Sequence, residues 1–313
     1  HDPIIFCKKI MTEHSTTFDK GLGQEVVFPT PGQIMRRRML KSKGFLLGLI
    51  MFILVVLMAL LAPLISPHDP YHQDLSQRLI TPVWTEKGSW EYPLGTDYLG
   101  RDNLSRVFYG ARISLLIGFS CMLIAAGIGT TLGLLAGYFG GVVDMVVSFM
   151  ITVRLALPAV LVAVAVVALI GGSMDVVIVV LGCLVWDRFI VVIRANVQQI
   201  RSMDYVPAAR AAGCSVFWIL MREIMPNLLN NLVVIATLEI GRVILLEAAL
   251  SFLGMGVQPP MPSWGLMISE GKEFMLFEPY LVMIPGVALF ILILGMNLLG
   301  DGLRDVTSPE GGA

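Results

Sequence analysis

Six stretches of the chain are almost wholly apolar, and each runs for about 20 residues or more: 44–65, 113–135, 142–170, 174–193, 228–250 and 280–299. Roughly 20 apolar residues in a helix cover the hydrocarbon core of a bilayer. None of the six alternates apolar and polar residues over short segments, as barrel strands would. The pattern predicts an all-α membrane protein with six transmembrane helices. The third stretch is long and contains Arg154 and Pro158, which predicts a tilt or a kink there. Gly/Ala-rich runs such as AAGIGTTLGLLAG (125–137) let backbones approach closely, as packed spans require.

The polar intervals orient these helices. Arg36, Arg37, Arg38, Lys41 and Lys43 stand just before the first span, and the positive-inside rule places them in the cytoplasm. Alternation then puts 66–112 outside and 194–227 inside, with both termini cytoplasmic. Arg194, Arg201, Arg210 and Arg222 in the inner loop agree. Arg78, Lys87, Arg101 and Arg106 in the outer loop are mixed with acids in a long segment, so they weigh less. The chain divides into a flexible cytoplasmic segment 1–34, a transmembrane domain 35–305 and a tail 306–313. Residues 1–10 precede Met11 and are set aside from the fold reading.

Composition agrees with a lipid-solvated chain. Of 313 residues, 56% are hydrophobic and 14% charged, where a soluble domain carries about 25% charged residues; mean hydropathy is +0.79. With 22 basic and 23 acidic residues the net charge is −1. No basic field results, which argues against nucleic acid as a partner. The four cysteines are scattered, with no CxxC pair or metal knuckle. No GxxxxGK[ST], HExxH or GxSxG motif occurs, so no cofactor or nucleotide site is expected in this chain. His68 and His72 are four apart in SPHDPYH, but Pro67 and Pro70 disfavour a helix there. A polar loop is preferred to a metal site.

The inner loop is unusual. DYVPAARAAGCSVFWILMREIMPN (204–227) is too long and too rich in helix formers for a simple connection. A helix from Tyr205 to about Leu220 is predicted, with a small face of Ala208, Ala209, Ala212 and Gly213 and an apolar patch of Phe217, Trp218 and Ile219. Pro226 falls where a helix starts. From physics alone the segment either seats against another protein or lies on the membrane surface.

AARAAG, followed ten residues later by IMP, resembles the EAA loop of bacterial ABC importer permeases. The match sets Ala208 and Ala209 on the two alanines, Gly213 on the glycine, and Ile224, Met225 and Pro226 on the closing I-L-P. Pro207, in place of an acidic residue, and Met225 depart from the pattern. PLGTDYLGRDNLSRVFYGARISL (93–115), GYFGG (137–141), EAALSFLGMGVQPPMPSWG (247–265) and NLLGDGLRD (297–305) are similar to the second-permease subunits of dipeptide and oligopeptide importers. The resemblance covers roughly residues 35–309. It implies the type I importer permease fold in the bacterial inner membrane. The chain would be half of a pathway that works by alternating access and would pair with a homologous permease. Two ATP-binding subunits would hold ATP and Mg and dock at Ala208, Ala209, Gly213, Ile224 and Pro226. An extracytoplasmic binding protein would deliver the peptide. Nickel and glutathione importers share these motifs.

Charges within the spans are costly unless they are paired or face a cavity. Glu239 and Arg242 are spaced i, i+3 and predict a bridge on one helix face, read as packing ahead of substrate contact. Arg154 either faces the pathway and holds a peptide carboxylate or pairs with Asp187, and both readings stay open. Glu247 falls near the outer end of the fifth span, the region that the resemblance places beside the binding protein. Arg101 and Asp102 are expected to fix their own loop. A proton-coupled peptide carrier is the main rival, but it gives the inner loop no role. A membrane-embedded enzyme would need paired catalytic groups in the spans, and a scaffold would leave the motifs unexplained.

Overall fold

The computed structural model describes residues 31–307; the expectations for residues 1–30 and for the tail from 308 lie outside them. Apart from an isolated bridge between Thr96 and Asp102, the described residues form helices and their connections. The helices are α1 (Pro31–Lys41), α2 (Lys43–Ile65), α3 (Asn103–Phe139), α4 (Gly141–Ala156), α5 (Ala159–Ile170), α6 (Met174–Gly182), α7 (Asp187–Arg201), α8 (Tyr205–Ala211), α9 (Met225–Phe252), α10 (Trp264–Gly271) and α11 (Tyr280–Thr307). Residues 31–34, inside the segment expected to be flexible, are therefore helical.

Four stretches are long and apolar enough to cross a membrane: Lys43–Ile65, Asn103–Phe139, Met174–Arg201 and Tyr280–Thr307. The pair α4–α5 makes a fifth if it is one span. Helix α9 has the length, 28 residues, but is not among them; Asn230, Asn231, Glu239, Arg242 and Glu247 interrupt its apolar run. On length and apolarity the count is thus four or five, where the sequence pattern predicts six.

The expected kink is present. Helices α4 and α5 meet at 83°, with Leu157 extended at φ −102°, ψ 124°. Pro158 causes this, because its ring drives the preceding residue out of the helical region and it offers no N–H. A second break, at residues 183–186, separates α6 from α7.

Helix α3, 37 residues long and so about 55 Å, is the spine of the bundle. Asp102 caps it, accepting the Leu104 and Ser105 N–H groups. Gly129, Gly133 and Gly137 share one α3 face at i, i+4 spacing and lie against α7. A Cβ at these positions would stand 2.4, 2.9 and 2.7 Å from the Cβ atoms of Phe189, Ile193 and Val197. The small residues anticipated in 125–137 thus bring two backbones together. In the same way Gly48 of α2 meets the α11 backbone at Gly295 and Leu299.

The bundle has two ends. The proximal end carries residues 202–215, together with the start of α2 and the end of α11, where Phe45 touches Gly302. The distal end carries the loop 66–102 and α10. There the buried Trp264 donates its indole N–H to the Val107 carbonyl at 3.0 Å, and Tyr280 donates its hydroxyl to the Ile80 carbonyl at 3.1 Å.

Candidate functional site

The proximal loop differs from the single helix that its sequence predicts. Helix α8 stops at Ala211 because Gly213 takes φ +82°, a left-handed conformation that glycine adopts without strain. The Ala212, Gly213 and Cys214 N–H groups then donate back to Ala208, Arg210 and Ala209 carbonyls at 2.9, 3.0 and 3.1 Å, which closes the helix end. Helix resumes at Val216 under a cap from Ser215, whose hydroxyl accepts the Trp218 N–H. With α7 reaching Arg201, the connection proper is only 202–215, and much of the expected loop 194–227 is helical. Pro226 lies in the first turn of α9 as predicted, but it does not begin the helix. A π-helical stretch, Ile219–Ile224, leads into it, and the Met225 N–H reaches back to the Leu220 carbonyl. The wide turn makes room for a proline that cannot donate.

Ala208 and Gly213 are exposed and Ala209 is half-buried; a Cβ added at Gly213 would meet nothing within 4 Å. Below them Val206, Ile219, Leu220, Ile224 and Leu228 pack with Leu134, Tyr138, Ile193, Val197 and Ile200. Two expectations change here. Ile219 and Ile224 are fully buried, so they are foundation and not contact surface, and the exposed part of the predicted apolar patch is Phe217, 72% accessible. Branched apolar side chains on the inner face of a helix go to the core because burial stabilises them by about 1.5–3 kcal/mol each. Arg210 anchors α8 to the end of α3. It donates to the Tyr138 hydroxyl at 3.1 Å and lies over that ring at 5.4 Å. Burial, with the Glu223 charge adding to it, pushes the Tyr205 phenol up.

A cavity of about 670 Å³ opens between α7, α9 and the end of α11, with Asp187, Arg188, Asn196, Asn231, Glu239 and Arg304 among its lining residues. Glu239 is buried. Arg242 reaches it at 3.2 Å, the i, i+3 bridge read from the sequence, and Arg188 reaches it at 3.3 Å. Asn231 donates to Asn196 at 2.9 Å. Arg154 is turned toward the two helix breaks: it donates to the carbonyls of Leu184 and Leu157 and stands 3.9 Å from Asp187. Of its two readings, the geometry places it beside Asp187. Unpaired carbonyls at a break within a span need such a donor. Arg188 was missed in the sequence, although a charge beside Asp187 in an otherwise apolar run was the available signal.

Glu247 does not reach a surface. It is 1% exposed and accepts the hydroxyls of Ser251 and Ser263 at 2.8 and 3.0 Å. At the distal end Arg101 does more than fix its own turn. Arg101 and Arg106 both donate to Asp97 Oδ2, and both reach Glu270 Oε2 of α10, at 3.0 and 2.7 Å. Burial works against the Arg101 charge, but Glu270 and Asp97 outweigh it and hold this guanidinium above its ordinary value. His68 stacks on Tyr92 at 4.7 Å, with Nδ1 3.7 Å from Asp102. No group of three His, Cys, Asp or Glu side chains is placed to hold a metal ion among the described residues.

Residues 129–310 match the family described as binding-protein-dependent transport system inner membrane component, and residues 30–82 match the N-terminal TM domain of oligopeptide transport permease C. The chain is 39% identical over 270 residues to the dipeptide transport system permease protein DppC of Haemophilus influenzae, covering 86% of this chain and 92% of that protein. It is 40% identical over 281 residues to the DppC of Escherichia coli, covering 90% and 94%. Against the glutathione transport system permease protein GsiD of Pectobacterium atrosepticum it is 37% identical over 281 residues, covering 90% and 92%. An apolar bundle with a braced, small-residue proximal loop is matched by likeness over most of the chain, and this protein belongs to the family of binding-protein-dependent transport system inner membrane components.

Proposed function

We propose that the chain is a permease subunit of an ATP-driven importer of short peptides. In this reading it crosses the inner membrane six times, α9 included, with both termini in the cytoplasm. It forms half of the pathway beside a homologous permease. Two ATP-binding subunits, which hold the ATP and Mg, dock on the proximal loop, and a binding protein delivers cargo at the distal end. Closure of the ATPases draws the loops together and turns the cavity outward; hydrolysis returns it inward.

The observation that supports this most is the proximal loop. Ala208 and Gly213 present small, open positions, while the segments carrying them stand on a buried core shared with α3, α7 and α9. A partner that grips the small face therefore moves the bundle as a rigid body. Ala208, Ala209 and Gly213 form the contact; Ile224 and Pro226 hold its base. The names of the relatives favour peptide cargo.

Gly213→Asp tests the docking. In the complex purified with its partners, the variant is expected to lose its associated ATPase subunits, or to keep an ATPase that no longer responds to loaded binding protein. Normal peptide uptake by the variant would sink the docking role. Asn at the same position, which also tolerates positive φ, controls for backbone strain.

A further inference from the structure

The polar wall of the cavity has an excess of positive charge. Arg188 lines it beside Asp187 and Glu239, and Arg154 and Arg242 stand on the same two acids, three guanidinium groups against two carboxylates; Arg304, exposed near the end of α11, adds a fourth cation to the lining away from these acids. The rest of the lining mixes apolar Leu155, Val191, Ile235 and Leu238 with the neutral polar Asn196, Asn231 and Thr307. A cleft lined with an excess of one charge concentrates the opposite charge, so the wall favours an arriving anion.

The three arginines are not equally available. The Arg154 side chain is 10% exposed and committed to backbone carbonyls and Asp187. Arg242, 30% exposed, lies along its own helix against Glu239. The Arg188 side chain is 58% exposed and touches Glu239 through Nε. Its two Nη groups form no hydrogen bond within the described residues. A planar guanidinium with free Nη donors matches a carboxylate in a two-pronged fit. An ammonium group would find no comparable partner, since the Glu239 and Asp187 side chains are 0% and 6% exposed and each already faces an arginine. The space suits a small molecule, for which pockets of about 300–1,000 Å³ are usual.

We infer that Arg188 is the cavity's contact for a free carboxylate, that of the C-terminus of a short peptide in transit. This rests on the importer reading above. The contact makes the permease itself a reader of cargo, separate from the binding protein.

The test compares uptake of Ala-Ala and of Ala-Ala amide into proteoliposomes holding the complete complex, wild type or Arg188→Gln, at one saturating concentration of binding protein. The binding protein is common to both, so its own preference cancels and any change in preference belongs to the permease. The preference for free acid over amide is expected to fall on the order of tenfold, as loss of a charge-assisted pair of hydrogen bonds implies. Arg188→Lys, with a single amine, should fall in between, and it supplies the same ratio if the glutamine variant fails to assemble. A parallel drop for both peptides, or no change, overturns the assignment. A wild-type complex that takes up no dipeptide on addition of ATP sinks the importer reading itself, and the inference with it.

Discussion

The chain holds two clusters of buried charge, and they are built differently. At the distal end Asp97 and Glu270 face Arg101 and Arg106, two against two, and every one of these side chains is at most 10% exposed. One oxygen of each carboxylate is shared by both arginines, and only about 10 Å³ of free space lies beside them, too little for more than one water. At the cavity three arginines meet two acids, the Arg188 side chain is more than half exposed, and about 670 Å³ opens alongside. The first cluster is balanced and sealed, which makes it a brace joining the loop 94–102 to α10. The second is unbalanced and open, which leaves a charge for something else to satisfy. Closure and balance, more than the presence of charge, separate scaffold from site.

Breaking one partner of each cluster puts a number on that difference. Glu270→Gln removes a carboxylate from two buried arginines and should destabilise the protein by about 3 kcal/mol, since uncompensated buried charge costs roughly 3–5 kcal/mol. Arg188→Gln should cost less than about 1 kcal/mol, because more than half of the side chain is already in contact with solvent. Unfolding in mixed micelles with increasing denaturing detergent measures both. Equal losses would erase the distinction between brace and site.

A packing change sharpens the comparison without touching a charge. Gly133→Ala places a Cβ 2.9 Å from Ile193 Cβ and 3.2 Å from the Ile190 carbonyl oxygen, which forces α7, the helix of Asp187 and Arg188, away from α3. Overpacking of this kind costs about 1–3 kcal/mol. Peptide uptake should fall, while the distal loop keeps its resistance to limited proteolysis, because the brace contacts neither helix face involved. Early cleavage in 66–102 would show that the two regions are one cooperative unit.

Much of this plan was readable beforehand, for physical reasons that vary from place to place. The apolar runs 44–65 and 280–299 lie within α2 and α11 because nothing but a helix satisfies a backbone in lipid. The kink followed from Pro158 alone. The bridge from Glu239 to Arg242 was legible because i, i+3 partners meet on any helix. What failed to show in the sequence was long-range or conformational. The pairing of Arg188 with Glu239 and of Arg106 with Glu270 joins residues 51 and 164 positions apart, and no periodicity reports that. The burial of Ile219 and Ile224 depends on which side of the π-helical stretch 219–224 meets α3 and α7. The helix break at Gly213 was hidden because glycine within a run of alanines reads equally as a close-approach residue or as a left-handed stop.

Asp74 marks the weak end of the scale. It stands half-exposed in the distal loop, with neither a buried cation nor a cavity beside it. Its Oδ1 accepts the Ser76 N–H at 2.9 Å and the Ser76 hydroxyl at 2.7 Å, capping a single 3-10 turn. The bond from the Ser76 hydroxyl, followed by that from the Ser76 backbone, holds this carboxyl below its ordinary range. A depressed carboxyl favours the folded state above the unfolded value, and that contribution disappears as the pH falls through the folded one. Asp74→Asn keeps an accepting oxygen and loses only the charge. The unfolding midpoint of the variant should therefore lie slightly below wild type at neutral pH, and the gap should close as the solution is acidified. A gap that widens in acid would reverse the sign and mean that a neighbouring anion or burial holds the Asp74 carboxyl above its ordinary range. Uptake should be unchanged throughout, since a solvated carboxylate that holds only its own turn belongs neither to the brace nor to the site.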